Sequence, residues 1–214
     1  MRILLSLVLM ASVGATALNL SEIFVAPVPR ELKPVGVLPI VAPDFDRIDA
    51  VLQHRAPGWG ISLRARVSQA ITEEAQVAGL DPLLIVALIS VESEFQQDAV
   101  SSVGAHGLMQ IRPNTLIAMA QREGMRLTFD ELRTDPAVQV RLGVRYLKLM
   151  KNQFRGDLDS ALMAYNAGPT RLSAAAKENA IDQYQGYVHA VRRRFARLKR
   201  AHGEVGDWAL ASKQ

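Results

Sequence analysis

The sequence predicts an all-α, mainly helical domain, and three observations carry that prediction. No stretch alternates apolar and polar residues strongly enough to read as a strand. From residue 44 onward, apolar residues recur at three- and four-residue intervals. Asp-Pro occurs twice, at Asp81-Pro82 and Asp135-Pro136, each time just ahead of an apolar run. An aspartate accepts hydrogen bonds from first-turn N–H groups, and a proline at the first helical position needs no partner for its nitrogen. With 214 residues, 49% hydrophobic and 21% charged, the chain can bury a sizeable core.

In chain order, Met1-Arg2 and the apolar run Ile3 to Met10, followed by the small-residue pattern Ala15-Thr16-Ala17, predict a secretory signal peptide over residues 1–17. Polar residues dilute the run before Leu20, which favours cleavage over a retained membrane anchor. The protein is therefore expected to be exported or periplasmic. Having no cysteine, it is not a lipoprotein, and thiol and disulfide chemistry are excluded. Residues 18–61 read as a proline-rich linker with one short helix. Pro27, Pro29, Pro34, Pro39 and Pro43 are half of all ten prolines, and Phe45, Ile48, Val51 and Leu52 then fall at helical spacing up to the Pro57-Gly58 break.

The domain proper is expected over residues 62–200. Ser62 reads as the cap of a helix striped by Val67, Ile71, Ala75 and Ala78 and stopped by Gly79. The next helix, 82–95, is apolar all round from Leu83 to Val91, which makes it a core helix too short to cross a bilayer. A glycine-bearing loop, 101–111, leads to a helix from Pro113 to Gly124. Thr128 and Glu131 form a capping box over a short turn. Further helices are expected over 137–154, from Asp157 or Asp159 to Ala167, from about Thr170, and from about Ile181 to Arg200. Residues 201–214 read as a flexible tail.

Glu92 stands at the end of the core helix, on the side that carries Ile85, Leu88 and Ile89. An acid leaning on aliphatic neighbours is costly to ionise, so its pKa should rise, as suits a general acid. The alternative is a surface carboxylate that marks the helix end. Glu94 is expected to point the other way, and no second acid can be placed beside Glu92. His54, His106, His189 and His202 are scattered, with no metal-ligand spacing, and no cofactor is implied. His106 reads as a solvent-facing loop residue. The net charge of +4 permits an anionic partner without requiring nucleic acid.

Three segments stand in one order: Glu92-Ser93, then Gly107-Leu108-Met109-Gln110-Ile111, then Ala164-Tyr165-Asn166-Ala167-Gly168. Together they resemble the lytic transglycosylases of the soluble (SLT) type, helical relatives of goose-type lysozyme, over roughly residues 65–195. Gly143-Val144-Arg145-Tyr146-Leu147 agrees, and so does Tyr187-Val188. Gln183-Tyr184 stands where the family often has Glu-Thr.

The resemblance implies a lysozyme-like fold that acts on peptidoglycan glycan strands. Glu92 would be the sole catalytic acid and base, giving a 1,6-anhydromuramyl product with help from the substrate's acetamido group. Ser93 would donate a hydrogen bond beside the acid or to the substrate, or else simply close the helix. Met109 would line the cleft as an apolar wall, and Gln110 would bind sugar hydroxyls through its amide. Tyr165, Asn166 and Tyr146 would place phenols and an amide near Glu92. The rival readings are a goose-lysozyme-type hydrolase and a catalytically idle wall-binding or secretion-assembly protein. Expected partners are the glycan strands, an anionic envelope surface touched by the basic last helix, and a secretion or motility machine.

Overall fold

The computed structural model describes residues 44–203. The expected signal peptide, residues 18–43 of the expected linker and the expected tail beyond 203 lie outside the described residues. Among those described there are nine α-helices, one 3₁₀ turn and no strand, so the domain is all-α as expected.

Helix α1 (Phe45–Arg55) ends at the Pro57-Gly58 break. It belongs to the domain rather than to a linker. Ile48, Val51 and Leu52 are buried in the common core, packed against α2 (Ile61–Ala78). In α2 the stripe Val67, Ile71, Ala75 and Ala78 is buried, and Gly79 closes the helix in the left-handed conformation (φ 61°) that glycine adopts without a Cβ penalty. Its cap position is occupied by extended Gly60, so Ser62 falls inside the first turn.

Both Asp-Pro starts form as read. Asp81 accepts from Leu83 N–H at 2.8 Å ahead of α3 (Pro82–Glu92). Asp135 accepts from Ala137 N–H at 2.9 Å ahead of α6 (Pro136–Gln153). Between them lie α4 (Pro113–Arg122) and α5 (Phe129–Thr134), the latter opened by the Thr128/Glu131 capping box. Asp157, not Asp159, caps α7 (Leu158–Ala167), and α8 (Pro169–Lys177) follows at once. The expected single last helix is divided into a 3₁₀ turn (Ile181–Tyr184) and α9 (Gln185–His202).

Helix α3 lies at the centre, with every residue from Pro82 to Ile89 buried. Helix α9 packs along it through Val188, Val191 and Leu198, while α2 packs against α6 and α6 against α7. Arg145 on α6 clamps the outer side, gripping buried Glu74 of α2 through Nε at 2.8 Å and Nη2 at 2.7 Å, and Glu123 through Nη1 at 2.5 Å. No single described helix is long and apolar enough to cross a membrane.

The core helix stops at Glu92, three residues short of the expected Phe95. Glu94 (φ 50°) and Phe95 (φ 66°) both take the left-handed conformation, each at a cost of about 1–2 kcal/mol. The turn drives Phe95 back into the core, edge-on to Trp59 with ring centroids 6.2 Å apart. Burying a large aromatic offsets that strain. As a result Glu94 is not on the opposite face of a helix but lies beyond its end, exposed.

Candidate active site

Glu92 sits at the C-terminal end of α3 and opens onto a cleft of about 350 Å³. Three walls meet there: the loop from Ser101 to Arg112, Tyr146 on α6, and the end of α7 from Tyr165 to Gly168, with Pro169 beginning α8. Glu92 is the only carboxylate lining the cleft among the described residues. Burial pushes its pKa up to about 7, with a hydrogen bond from Tyr187 pulling the other way. A large share of the acid therefore keeps its proton at neutral pH.

Tyr187 went unrecognised as a site residue. It lies on α9, which packs along α3, and its hydroxyl donates to Glu92 Oε1. The signal was present in the sequence as the Tyr187-Val188 pair of the resemblance. Its helical register with Val188 and Val191, which are buried, turns it toward α3. Burial raises the phenol pKa well above its usual value, and the nearby Glu92 adds to the shift, so Tyr187 remains a donor.

The loop carrying Gly107 to Ile111 is held by the residue that closes α3 and by side chains of α6 and α7. Ser93 Oγ donates to Leu108 C=O at 3.0 Å, and Gln139 Oε1 on α6 accepts from Leu108 N–H at 2.9 Å. Tyr165 on α7 donates to Met109 C=O at 2.7 Å. Gln110 Nε2 donates to Ala99 C=O at 3.0 Å and to Gly107 C=O at 2.9 Å. Gly107 has φ 69°, and a Cβ there would lie 2.0 Å from Gln139 Oε1, so both backbone and space require glycine.

The cleft thus gathers Glu92, Gln110, Tyr146, Tyr165 and Asn166, but not Ser93 or Met109. Met109 is fully buried and packs against Gly143 of α6, so its side chain belongs to the core and its carbonyl takes the Tyr165 hydroxyl. Ser93 is also buried, and its single proton goes to loop and helix carbonyls. Gln110 uses its amide nitrogen within the loop, which leaves Oε1 for the cleft. The rings of Tyr146 and Tyr165 meet at 5.4 Å, and Asn166 is exposed at the rim. His106 does not face solvent freely: its ring packs edge-on against Phe129 at 5.2 Å, pinning the loop to α5. Ser101, Val103 and Arg112 of the loop and Thr115 of α4 also line the cleft, and the sequence did not single them out as site residues.

Residues 69–187 match the family model described as the transglycosylase SLT domain, a span that holds Glu92, the glycine loop, the α7 end and Tyr187. The chain belongs to the transglycosylase SLT family. Among curated relatives, it is 33% identical over 109 residues to "Membrane-bound lytic murein transglycosylase C" of Haemophilus influenzae, covering 46% of this chain and 30% of that protein. It is 35% identical over 120 residues to "Endo-type membrane-bound lytic murein transglycosylase A" of Salmonella paratyphi B, covering 52% of this chain and 59% of that one. The chain therefore matches less than two thirds of either relative's length. Among solved structures, it resembles an inactive mutant of the lytic transglycosylase Slt from Pseudomonas aeruginosa, with a TM-score of 0.57 and 28% identity over 72% of this chain and 30% of that one. The 70 kDa soluble lytic transglycosylase of Escherichia coli, with a TM-score of 0.55 and 24% identity over 75% of this chain and 29% of that one, shares the fold. This SLT-family chain thus has a lysozyme-like, all-α domain whose cleft, among the described residues, has one acid, at the end of the central helix.

Proposed function

We propose that the protein is a peptidoglycan lytic transglycosylase that cleaves the β-1,4 bond between N-acetylmuramic acid and N-acetylglucosamine, with Glu92 as both acid and base. The observation that carries this reading is a single carboxylate in the cleft among the described residues, with its pKa raised to about 7. Glycosidases ordinarily flank the scissile bond with two carboxylates, and substrate-assisted ones replace the second with the sugar's acetamido oxygen. Protonated Glu92 gives its proton to the glycosidic oxygen as the bond to muramic C1 breaks, and the acetamido oxygen supports the positive charge at C1. The Glu92 carboxylate then takes the proton of the muramic C6 hydroxyl, whose oxygen closes on C1. The acid is restored, no water is consumed, and a 1,6-anhydro end results.

Tyr187 keeps the carboxyl oriented throughout and donates more strongly once it is ionised. The names of the relatives, murein transglycosylases in both cases, support the substrate class. The Pseudomonas enzyme, an inactive glutamate-to-glutamine mutant, supports a glutamate as the residue that turnover needs. We place the activity outside the cytoplasm, in line with the charged and apolar start of the sequence.

Mass spectrometry of products from purified sacculi tests the proposal. Anhydro ends, one water lighter than hydrolysis products, are expected, and Glu92→Gln should lower turnover by at least roughly 100-fold. Reducing ends as the major product would replace this reading with a goose-lysozyme-type hydrolase. No cleavage by the unmutated protein would leave a wall-binding role.

A further inference from the structure

Glu92 and Arg112 are the charged side chains that line the cleft among the described residues. They do different work. Glu92 takes its hydrogen bond from the Tyr187 hydroxyl, and Arg112 makes no ion pair with it. Arg112 is therefore not placed to hold the ionised acid. Nor does it hold the fold together, since it makes no ion pair with any described residue.

Its anchorage is nevertheless firm. The preceding Ile111 is buried, and its carbonyl accepts from His106 N–H at 3.1 Å. The following Pro113 confines residue 112 to the extended region, where it lies at φ −68° and ψ 147°. An exposed guanidinium thus leaves a fixed turn on a wall that is otherwise uncharged apart from the acid. With Glu92 protonated, the charge on the cleft wall is that of Arg112 alone.

The substrate proposed above, on which this inference rests, offers a matching anion in one place. The alternating N-acetylated sugars are uncharged, whereas the lactyl arm of each muramic residue carries a peptide with free carboxylates. We propose that Arg112 forms an anion subsite of the cleft that takes a carboxylate of the peptide arm and so selects peptide-bearing strands over neutral ones. A guanidinium suits the task because its fork of N–H donors meets both oxygens of a carboxylate.

The test uses soluble peptide-bearing tetrasaccharides in two forms, one with free carboxylates and one with the carboxylates converted to amides by carbodiimide and ammonia. Binding is measured by calorimetry to the Glu92→Gln variant, alone and combined with Arg112→Gln. A third protein combines Glu92→Gln with Arg193→Gln, an equal change of charge on the exposed side of α9. With Arg112 in place, amidation should weaken binding roughly 3- to 10-fold. That preference should vanish with Arg112→Gln and persist with Arg193→Gln. The proposal is overturned if the Glu92→Gln protein binds both forms equally or neither, or if the preference survives Arg112→Gln. Cleavage by the unmutated enzyme is followed in parallel. If neither form is cleaved, the proposed reaction fails, while the calorimetry still decides the subsite.

Discussion

Glu92 holds its proton because α3 delivers it into an apolar wall, and one hydroxyl from another helix limits how far its pKa rises. That balance makes Tyr187→Phe informative. Removing a donor that favours the charged form should raise the Glu92 pKa further, moving the alkaline limb of the kcat/KM profile up by about half a unit or more. A profile superimposable on that of the unmutated enzyme would mean the hydroxyl does not set the acid. The same carboxyl makes stability depend on pH, in a direction that follows from its shift. Below the ordinary value near 4.5 both folded and unfolded states are protonated. As pH rises toward about 7, the unfolded chain ionises while the folded acid resists, so the native state loses ground. Glu92→Gln, whose amide oxygen still accepts from Tyr187, should match the parent at pH 4 and exceed it at pH 8 by on the order of 1–2 kcal/mol. Thermal melts at the two pH values check this, and a lower melting temperature at pH 8 would refute it.

At the scale of the element, the glycine loop behaves as a piece of architecture clamped by Ser93, Gln139 and Tyr165. Gly107→Ala forces a left-handed alanine against Gln139, so it should cost about 2 kcal/mol or more and lower activity through displacement of the loop. Gln139→Leu leaves the buried Leu108 N–H and the Arg133 carbonyl unpaired and should cost about 1–3 kcal/mol. Chemical denaturation of both variants gives these values, and the loss should appear in the midpoint with the slope unchanged. A Gln139→Leu protein as stable as the parent would show that the loop stands without this clamp.

Across the whole molecule, charge is distributed unevenly about α3. Arg192 is engaged by Asp159 at 2.6 Å and Lys199 by Asp81 at 2.9 Å, so the basic face of α9 is smaller than its sequence suggests. Arg194 and Arg197 gather with Arg55 of α1 beside Val86 and Ser90 of α3. Those two α3 positions lie on the side of the helix away from Glu92. A cationic surface there can meet anionic envelope polymer without blocking the cleft. Changing Arg193, Arg194 and Arg197 to Glu should weaken sedimentation with sacculi and flatten its salt dependence, while cleavage of short soluble glycans continues. An unchanged salt response would reduce this face to a solubilising one.

The helical class, the two Asp-Pro starts, the Thr128/Glu131 box, the buried stripe of α2 and the place of Glu92 on the apolar core helix were all legible in the sequence. Each rests on local periodicity, on capping within a few residues, or on motifs in a fixed order. Tertiary packing decided the rest. It ended α3 at Glu92, because burying Phe95 on Trp59 outweighs continuing the helix. It drew α1 into the domain, because Ile48, Val51 and Leu52 have a core to enter. It also sent Met109 and Ser93 inward and brought Tyr187 to the acid across 95 residues of chain. A side chain's partner over such a distance depends on how helices cross, and a linear pattern of apolar residues fixes which face is buried but not what it meets.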